Sequence, residues 1–416
     1  MKSYSQALKI LQKSKLIIKD EYIKSSASLN RISAENVYSN SNYPSANNSS
    51  VDGFVINSND TKNLDFKKAR LFKILGTIAA GNIPKVKKPK KFQTYEIMTG
   101  ALLPKGFNTI IPVEQIVYFP NKKNPKFISI NKSLKKNINV RFKGSDLKKK
   151  DLLFKKGTII QPNHILALKT IGIKKVKVKK IPKILFFATG NEISELENIP
   201  DWKVRNSNSY YIQSLDSNFL FHFEKGDVLR DKDESFFVKK IKKILNSKID
   251  IIITSGAVSA GKFDYIPKVI KRFSLSNYFK NVAIRPGKPI LFAKIKNKQK
   301  TFFGLPGNPI SSAACFRFFV YPYLRESLGI EKEKSIKAVL KNDFIKKKIF
   351  TRFVKSKINT TKNGKVEVEI LKGQESFRVK SFIKSNIWAI LPSGKSKFRK
   401  GDIVECFFPN QSNKIF

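Results

Sequence analysis

The chain has 416 residues and a formal net charge of +51, because 82 Lys and Arg stand against 31 Asp and Glu. A hydrophobic fraction of 41% and 34 Phe exclude a disordered basic tail, and the length predicts several domains with a sizeable core. Two Cys and two His exclude a zinc finger and a disulfide framework. No stretch approaches the roughly 20 apolar residues of a membrane span, so we expect a soluble cytoplasmic protein.

The positive charge raises the question of a nucleic acid or an anionic membrane as partner. The lysines are spread along the whole chain, whereas a binding face needs them in one place. Ile, Asn and Phe are abundant too, and like Lys they can be written with A/T-rich codons. A compositional bias therefore explains much of the charge, and specific nucleic-acid binding is disfavoured.

The first 180 residues divide into stretches of different pattern. Residues 1–39 carry a rough helical stripe of apolar residues among lysines, which predicts helix. Residues 39–52 are rich in Ser and Asn and predict a loop. From residue 54 to about 140, short apolar runs with Gly and Pro between them predict strands and turns. A further helix is predicted at 163–171.

Residues 183–329 show the alternation of strands and helices that predicts a doubly wound parallel sheet. The predicted strands are 184–188, 227–229, 249–254 and 302–305, and the predicted helices are 208–221, 235–245 and a long one after residue 308. Asn308 suits the N-cap of that long helix and Pro309 its first position. From about residue 331, short strands and turns predict a small β domain.

Three of the predicted strands end in loops that contain Gly or Pro, at residues 189–192, 255–264 and 306–312. Ligands of such sheets bind beyond the carboxyl ends of the strands. Backbone N–H groups and helix dipoles at these loops favour a phosphate or another oxyanion. Neither a Gly-x-Gly-x-x-Gly fingerprint nor a phosphate-loop signature is present, which disfavours Rossmann cofactors and ordinary NTPases.

Carboxylates also stand at these positions, in a chain poor in acids. Glu192, Asp231 and Asp264 each fall at or just past a predicted strand end. Carboxylates beside a phosphate site usually hold Mg²⁺, which neutralises charge and polarises the phosphoryl oxygens. Capping of the following helices is the alternative interpretation. The pattern alone leaves both interpretations open.

At these loops the sequence resembles the molybdopterin molybdenumtransferase family, which is related to the gephyrin E domain. Residues 48–54 read Asn-Ser-Ser-Val-Asp-Gly-Phe and are similar to the family's Asn-Ser-Ala-Met-Asp-Gly-Tyr loop. Further matching segments follow in the family's order, at 97–101, 104–106 with Glu114, 141–146, 189–192, 255–264, 285–289 and 305–311. Nearly the whole chain is covered by this series of motifs, and only the last 85 or so residues are weakly patterned.

The resemblance implies an α/β multidomain fold around a central doubly wound parallel-sheet domain. Its parts would be an elongated helical segment (residues 1–45 and 140–180), an inserted β domain (46–139), a molybdopterin-binding α/β domain (181–330) and a C-terminal β domain (331–416). It also implies a homodimer whose active site lies between the α/β domain of one subunit and the inserted domain of the other.

The reaction implied by the resemblance inserts molybdate into adenylylated molybdopterin, with Mg²⁺, and releases AMP. Glu192, Asp231 and Asp264 would be the catalytic carboxylates that hold the metal at the phosphoanhydride. The catalytic residues contributed by the partner subunit would correspond to Asp52, Thr99 and Asp146. The candidate substrate-binding residues are Ser255, Gly256, Arg285, Lys288, Gly307, Asn308 and Ser311. Both substrates are anions, which fixed donors of this kind would bind.

The chain departs from the family pattern in its second glycine loop. Ala257 stands where Gly is usual, and we expect its backbone to avoid positive φ because its methyl group disfavours that region. Val51 replaces a usual Met, Asn191 a usual Asp, and Lys232 interrupts a usual pair of acids. None of these changes removes an implied catalytic carboxylate.

Other functions stay open at this point. A molybdopterin adenylyltransferase uses a similar α/β domain, as does a nicotinamide-nucleotide hydrolase. A non-catalytic nucleic-acid-binding or scaffold protein on the same fold is a third alternative. The flanking domains and the motifs around Asp52 and Thr99 favour the transferase.

Overall fold

The computed structural model describes residues 1–86, 89–216, 220–230, 233–258, 265–296 and 299–409. Three six-stranded sheets organise this part of the chain, and smaller two-stranded sheets connect them. Most of the helices pack on the central sheet, and the predicted multidomain α/β fold is confirmed. None of the helices in these ranges combines the length and the apolar character that a membrane span requires.

The N-terminal helix is shorter than predicted. It spans Tyr4–Lys13, so the prediction of helix over 1–39 is wrong beyond this point. Ala7 and Leu11 are buried on one face, and the helical spacing of apolar residues does not continue past them. The strand Asp20–Lys24 follows instead, with alternating exposed and half-buried residues. Alternation with a period of two favours a strand, and this is the signal that the helix prediction overlooked.

Strand pairs connect the two chain pieces expected in the elongated segment. Asp20–Lys24 pairs in antiparallel register with Lys175–Lys179. The other pairs are Val37–Tyr38 with Leu152–Phe154 and Asn48–Ser49 with Val140–Arg141. The 3-10 turn Ser25–Ala27 and the helix Pro162–Thr170 pack beside them. The segment is therefore built as much from strands as from helices.

The predicted β structure between residues 54 and 140 forms one sheet. Its strands, in spatial order, are Thr109–Pro112, Gly53–Ile56, Gln93–Ile97, Arg70–Ile78, Phe127–Ile130 and Val117–Phe119. Short 3-10 turns lie at Ser58–Thr61 and Val113–Gln115. Both faces of the sheet are covered by apolar clusters, with Val55 and Ile97 on one face and Phe54 and Phe72 on the other. The antiparallel register pairs Gly53 with Ile97.

The central sheet is mixed, with a parallel core. Its strands, in spatial order, are His222–Lys225, Lys183–Ala188, Ile251–Ser255, Lys300–Leu305, Leu291–Ile295 and Leu275–Lys280. The first four are parallel, and the last two are antiparallel to their neighbours. Ser207–Ser214, Glu234–Leu245 and Ile266–Lys271 are the helices between the strands. The predicted strand at 227–229 is wrong: the first helix ends early, and the edge strand forms at 222–225 instead.

A long helical run joins the central domain to the C-terminal domain. It comprises Pro309–Cys315, a π-helical turn at Phe316–Val320 and Tyr321–Leu328. Phe318 stacks on Phe353 of the C-terminal domain at a ring distance of 4.1 Å. Because these aromatic rings belong to one continuous apolar cluster, the two domains share a core.

The C-terminal domain is a small barrel. Its strands follow the order Thr351–Thr360, Val366–Ile370, Ile336–Leu340, Ile403–Phe407 and Ile387–Leu391, and the last pairs back to the first. Additional elements are the strand pair Phe344–Ile345 with Lys397–Phe398 and the helix Val379–Ile383. Ile284–Arg285 of the central domain extends the barrel sheet by pairing in parallel with residues 351–352.

Candidate active site

A cleft of about 470 Å³ lies at the carboxyl ends of three parallel strands, Lys183–Ala188, Ile251–Ser255 and Lys300–Leu305. Its walls are the loops that follow these strands and the amino end of the helix Ser207–Ser214. The predicted site residues that line it are Glu192, Ser255, Gly256, Gly307 and Asn308. The sheet therefore brings three separate predicted loops to one site, as parallel topology requires.

Hydrogen bonds hold all three of these loops close together. Thr189 donates two hydrogen bonds to the carbonyl oxygen of Ser255, from its amide at 2.9 Å and from Oγ1 at 2.8 Å. The amide of Gly256 donates to the carbonyl of Leu305 at 2.9 Å. Gly256 has a φ of +100°, and a Cβ there would lie 2.6 Å from the carbonyl oxygen of Thr189. Both the conformation and the close approach therefore require glycine.

Asn208 links the second and third loops across the cleft. Its Nδ2 donates to Oγ of Ser255 at 2.6 Å and to the carbonyl oxygen of Gly307 at 2.8 Å. The preceding Asn206 caps the same helix by accepting from the amide of Ser209 at 3.3 Å. One amide side chain thus fixes the distance between two loops that were predicted to bind an anion.

Glu192 is the one carboxylate among the lining residues in the described part of the chain. Its side chain is exposed, and no hydrogen bond or ion pair engages the carboxylate within the described ranges. The carboxylate folds back over Gly190, where a Cβ would collide with it. A bare carboxylate oxygen is the kind of hard ligand that Mg²⁺ prefers, so this residue fits a metal ligand.

The other two predicted carboxylates, Asp231 and Asp264, lie outside the described residues. Within the described ranges, no three His, Cys, Asp or Glu side chains are close enough together to hold a metal ion. The described neighbours of both positions are in contact, because Oη of Tyr265 donates to the carbonyl oxygen of Arg230 at 3.2 Å. Residues adjacent to the two predicted ligands are thus joined by one hydrogen bond.

The amino end of the helix Pro309–Cys315 lies at the third loop. The prediction that Asn308 is its N-cap and Pro309 its first residue is confirmed. The Asn308 side chain does not cap the helix: its Nδ2 donates to Oγ of Ser376 at 3.1 Å, in the C-terminal domain. Ser311 is buried in the first turn and does not line the cleft.

Two predicted anion contacts, Arg285 and Lys288, do not line the cleft in the described structure. The guanidinium of Arg285 lies over the ring of Phe350 at 4.8 Å, beside the barrel. The Lys288 side chain is exposed, and its backbone carbonyl accepts from the amide of Val282 at 2.9 Å. Arg285 therefore lies toward the C-terminal domain, whereas Lys288 directly precedes Pro289, which lines the cleft.

The inserted domain brings Asp52 and Thr99 together. Oδ1 of Asp52 accepts from the amide of Thr99 at 2.7 Å and from its Oγ1 at 2.9 Å. The register that pairs Gly53 with Ile97 carries these residues, 47 positions apart in sequence, to the same end of the sheet. The backbone amide and then the hydroxyl of Thr99 lower the pKa of Asp52 below its ordinary value of 3.8.

Asp146 belongs to the same surface region through the backbone. Its amide donates to the carbonyl of Tyr43 at 3.1 Å, and the neighbouring strands pair Asn48–Ser49 with Val140–Arg141. Three family motifs, around residues 48–54, 97–101 and 141–146, thus meet in one place. Asp52, Thr99 and Asp146 are all exposed, and none lines the cleft of its own chain.

Comparison with known proteins agrees with this architecture over nearly the whole chain. Residues 2–172 match the MoeA N-terminal region (domain I and II), 186–326 a probable molybdopterin binding domain, and 337–407 the MoeA C-terminal region (domain IV). A molybdopterin molybdenumtransferase of Staphylococcus aureus (strain COL) is 33% identical over 91% of this chain and 88% of its own length. One from Staphylococcus epidermidis is 32% identical, over 97% and 94%.

The chain belongs to the molybdopterin molybdenumtransferase family. It is therefore a transferase of molybdenum cofactor biosynthesis. The crystal structure of a molybdopterin biosynthesis MoeA protein from Pyrococcus horikoshii OT3 superposes with a TM-score of 0.82 at 26% identity. The match covers 98% of this chain and 100% of that chain, so the arrangement of domains is shared as well.

The expectation for Ala257 is wrong. Its φ is +53°, in the left-handed region that a Cβ disfavours. The residue directly follows Gly256, and its side chain packs beside the apolar cluster under the sheet. Ala257 therefore carries its methyl group in a left-handed conformation, which places local backbone strain at this point of the loop.

Sequence reasoning missed Asn208 and Arg230. Each is a single polar residue at the edge of a predicted helix or strand, and neither belongs to a recognised motif. Asn208 stands in the first turn of a helix in a run of Asn and Ser, which is a typical capping composition. Arg230 directly precedes the predicted carboxylate Asp231, and Arg is rare in this chain compared with Lys. The use of Arg at this position was the one feature of the sequence that could have indicated a specific role.

Proposed function

We propose that the cleft binds adenylylated molybdopterin and that the enzyme inserts molybdate into its dithiolene with release of AMP. The observation that carries this proposal is the convergence of the three loops, with Glu192 beside them, in a chain of this family. Backbone amides at the amino end of Pro309–Cys315 and the loops around Gly256 suit the phosphoryl oxygens. The substrate supplies the sulfur ligands, so no cysteine is needed.

Each group of the cleft has a distinct task in this proposal. Asn208 holds the loops around Ser255 and Gly307 at a fixed distance, so that their donors face the phosphoanhydride without reorganisation. Glu192, together with Asp231 and Asp264, would hold Mg²⁺, which neutralises phosphoryl charge when it is bound. Molybdate is the second substrate, and Arg285 and Lys288 remain candidate anion contacts.

We further propose a homodimer in which Asp52, Thr99 and Asp146 complete the site of the partner subunit. Their exposure supports this, because a carboxylate already ordered by Thr99 is available to a second molecule. The Asp52 carboxylate is ionised at neutral pH, since its pKa is lowered. We place the reaction in the cytoplasm, where both cysteines, which are buried and free, can stay reduced.

The test is AMP release by the purified protein. Native protein is incubated with adenylylated molybdopterin, Mg²⁺ and molybdate, and AMP and molybdenum cofactor are measured together. We expect AMP release that depends on molybdate and equals the cofactor formed. Absence of AMP release would contradict the transferase proposal.

A second arm separates the adenylyltransferase alternative. The same protein is given ATP and molybdopterin, with pyrophosphate release as the readout. The proposal expects no pyrophosphate above a blank without enzyme. Formation of adenylylated molybdopterin in this arm, with no molybdate-dependent AMP release in the first, would favour the alternative.

A further inference from the structure

Arg230 occupies a central position among the loops that carry the predicted metal carboxylates. Its Nη1 lies 3.1 Å from the carbonyl oxygen of Gly190, 3.3 Å from that of Asn191 and 2.8 Å from that of Ile193. The two N–H bonds of this nitrogen are therefore shared among three carbonyls on both sides of Glu192. The carbonyl of Glu192 itself accepts from the amide of Val204 at 2.8 Å instead.

The backbone of Arg230 makes contacts as specific as those of its side chain. Its amide donates to Oδ2 of Asp233 at 2.7 Å, and its carbonyl accepts from Oη of Tyr265 at 3.2 Å. Tyr265 is buried, with its ring edge-on to Phe237 at 6.3 Å, so its hydroxyl is held in place. Tyr265 directly follows Asp264 in sequence, and Arg230 directly precedes Asp231.

We infer that Arg230 is a positioning residue that ties the loop of Glu192 to the chain positions beside Asp231 and Asp264, and so sets the affinity of the site for a divalent cation. This inference rests on the proposed function, because that function assigns the three carboxylates to one metal. The guanidinium donates these bonds to backbone carbonyl oxygens. Its role is to fix the loop geometry, which groups behind metal ligands commonly do.

The shape of the side chain matters as much as its charge. One nitrogen, Nη1, serves all three carbonyls, and the planar guanidinium holds it in a fixed orientation, whereas the ammonium of Lys ends a flexible stem and rotates freely. Arg230→Lys should therefore keep the charge and lose part of the geometry. Arg230→Met keeps the unbranched apolar stem and leaves the carbonyls of Gly190 and Ile193 without this donor. Tyr265→Phe removes only the hydroxyl that reaches the Arg230 carbonyl.

The first readout is Mn²⁺ binding to metal-free protein, followed by electron paramagnetic resonance. We expect Arg230→Met to weaken binding by about 10-fold or more, with Arg230→Lys in between and Tyr265→Phe smaller, as for other residues behind metal ligands. Arg272→Met is the matched control, because Arg272 is a half-exposed Arg of the same domain that pairs with Glu234. The control should bind Mn²⁺ like the native protein.

The second readout is the Mg²⁺ concentration that gives half-maximal AMP release. If Arg230 acts on the metal site, its variants should need a higher Mg²⁺ concentration for half-maximal AMP release. Simple loss of folded protein would lower the maximal rate and leave that Mg²⁺ concentration unchanged.

Native Mn²⁺ affinity in both Arg230→Met and Tyr265→Phe would overturn the inference. If Arg230→Met does not fold, Arg230→Lys and Tyr265→Phe decide the matter in the same way. No Mn²⁺ binding by the native protein would contradict the proposed metal site and this inference with it, whereas native binding with unchanged variants contradicts the inference alone.

Discussion

The cleft of the central domain and the exposed surface of the inserted domain are built in opposite ways. In the cleft, the loops are joined by hydrogen bonds from Thr189, Gly256 and Asn208, and one glycine sits where no side chain fits. On the inserted domain, one pair, Asp52 with Thr99, is ordered at the surface and is exposed among the described residues of its own chain. Substitutions that break the contacts between the cleft loops should therefore lower stability and activity together. Changes at the exposed pair should act on activity, with an effect on stability confined to acidic pH.

The largest expected effect is the loss of activity when a predicted carboxylate of the central domain is changed. Asp264→Asn keeps the size of the side chain and removes the charge, so we expect AMP release to fall by about 100-fold or more. The melting temperature should remain native. Asp227→Asn is the control, because Asp227 is an exposed acid of the same domain that pairs with Lys240. An Asp264→Asn protein with the control's activity would exclude the role assigned to Asp264.

The second prediction tests whether the close approach of the cleft loops limits the residue at position 256 to glycine. Gly256→Ala should lower the free energy of unfolding by about 2 kcal/mol or more, since its Cβ meets the Thr189 carbonyl. Gly364→Ala is matched, with a φ of +79° and no heavy atom within 4 Å of the added Cβ. Gly364→Ala should lower the free energy of unfolding by only about 1 kcal/mol, because Ala disfavours the left-handed backbone conformation. Urea unfolding of both variants measures the difference, and equal losses would refute the close approach as the cause.

Much of this site could be predicted from sequence because its motifs are local. The loops at 189–192, 255–264 and 306–312 each follow a strand directly, and parallel topology brings strand ends together. The prediction of a helix over residues 1–39 was wrong because its few apolar residues, separated by lysines, fit the spacing of a strand as well as that of a helix. Pairing with Lys175–Lys179, about 150 residues away in sequence, favoured the strand. Asn208 and Arg230 act through contacts between loops, and no local pattern encodes such contacts.

The third prediction concerns the inserted domain. Thr99→Val removes the hydroxyl bond to Asp52 and keeps the amide bond, so the pKa of Asp52 should rise part of the way toward 3.8. A depressed pKa adds stability above the unfolded value, and that stability is lost as pH falls through the folded value. The variant should therefore lose less stability on acidification than the native protein does. Carbon NMR of the Asp52 carboxyl follows the titration, and an unchanged pKa would contradict the assigned cause.

The smallest expected effect returns to the cleft. Ala257→Gly relieves the left-handed strain at φ +53° and adds unfolded-chain entropy, so we expect a net gain of up to about 1 kcal/mol. Thermal unfolding should show a small rise in melting temperature. Ala293→Gly, in the buried strand Leu291–Ile295, is the opposite case and should destabilise. A lower melting temperature for Ala257→Gly would show that the methyl contact outweighs the strain.

The most direct test of the account is whether the two regions meet across a dimer. Glu192→Gln disables the cleft of one chain, and Asp52→Asn disables the exposed surface of another. Mixed dimers of the two inactive variants, isolated with two different tags, contain one site with both native regions if the site is shared. We predict about half of the native AMP release per dimer. No activity above that of the separate variants would contradict a site built from two subunits.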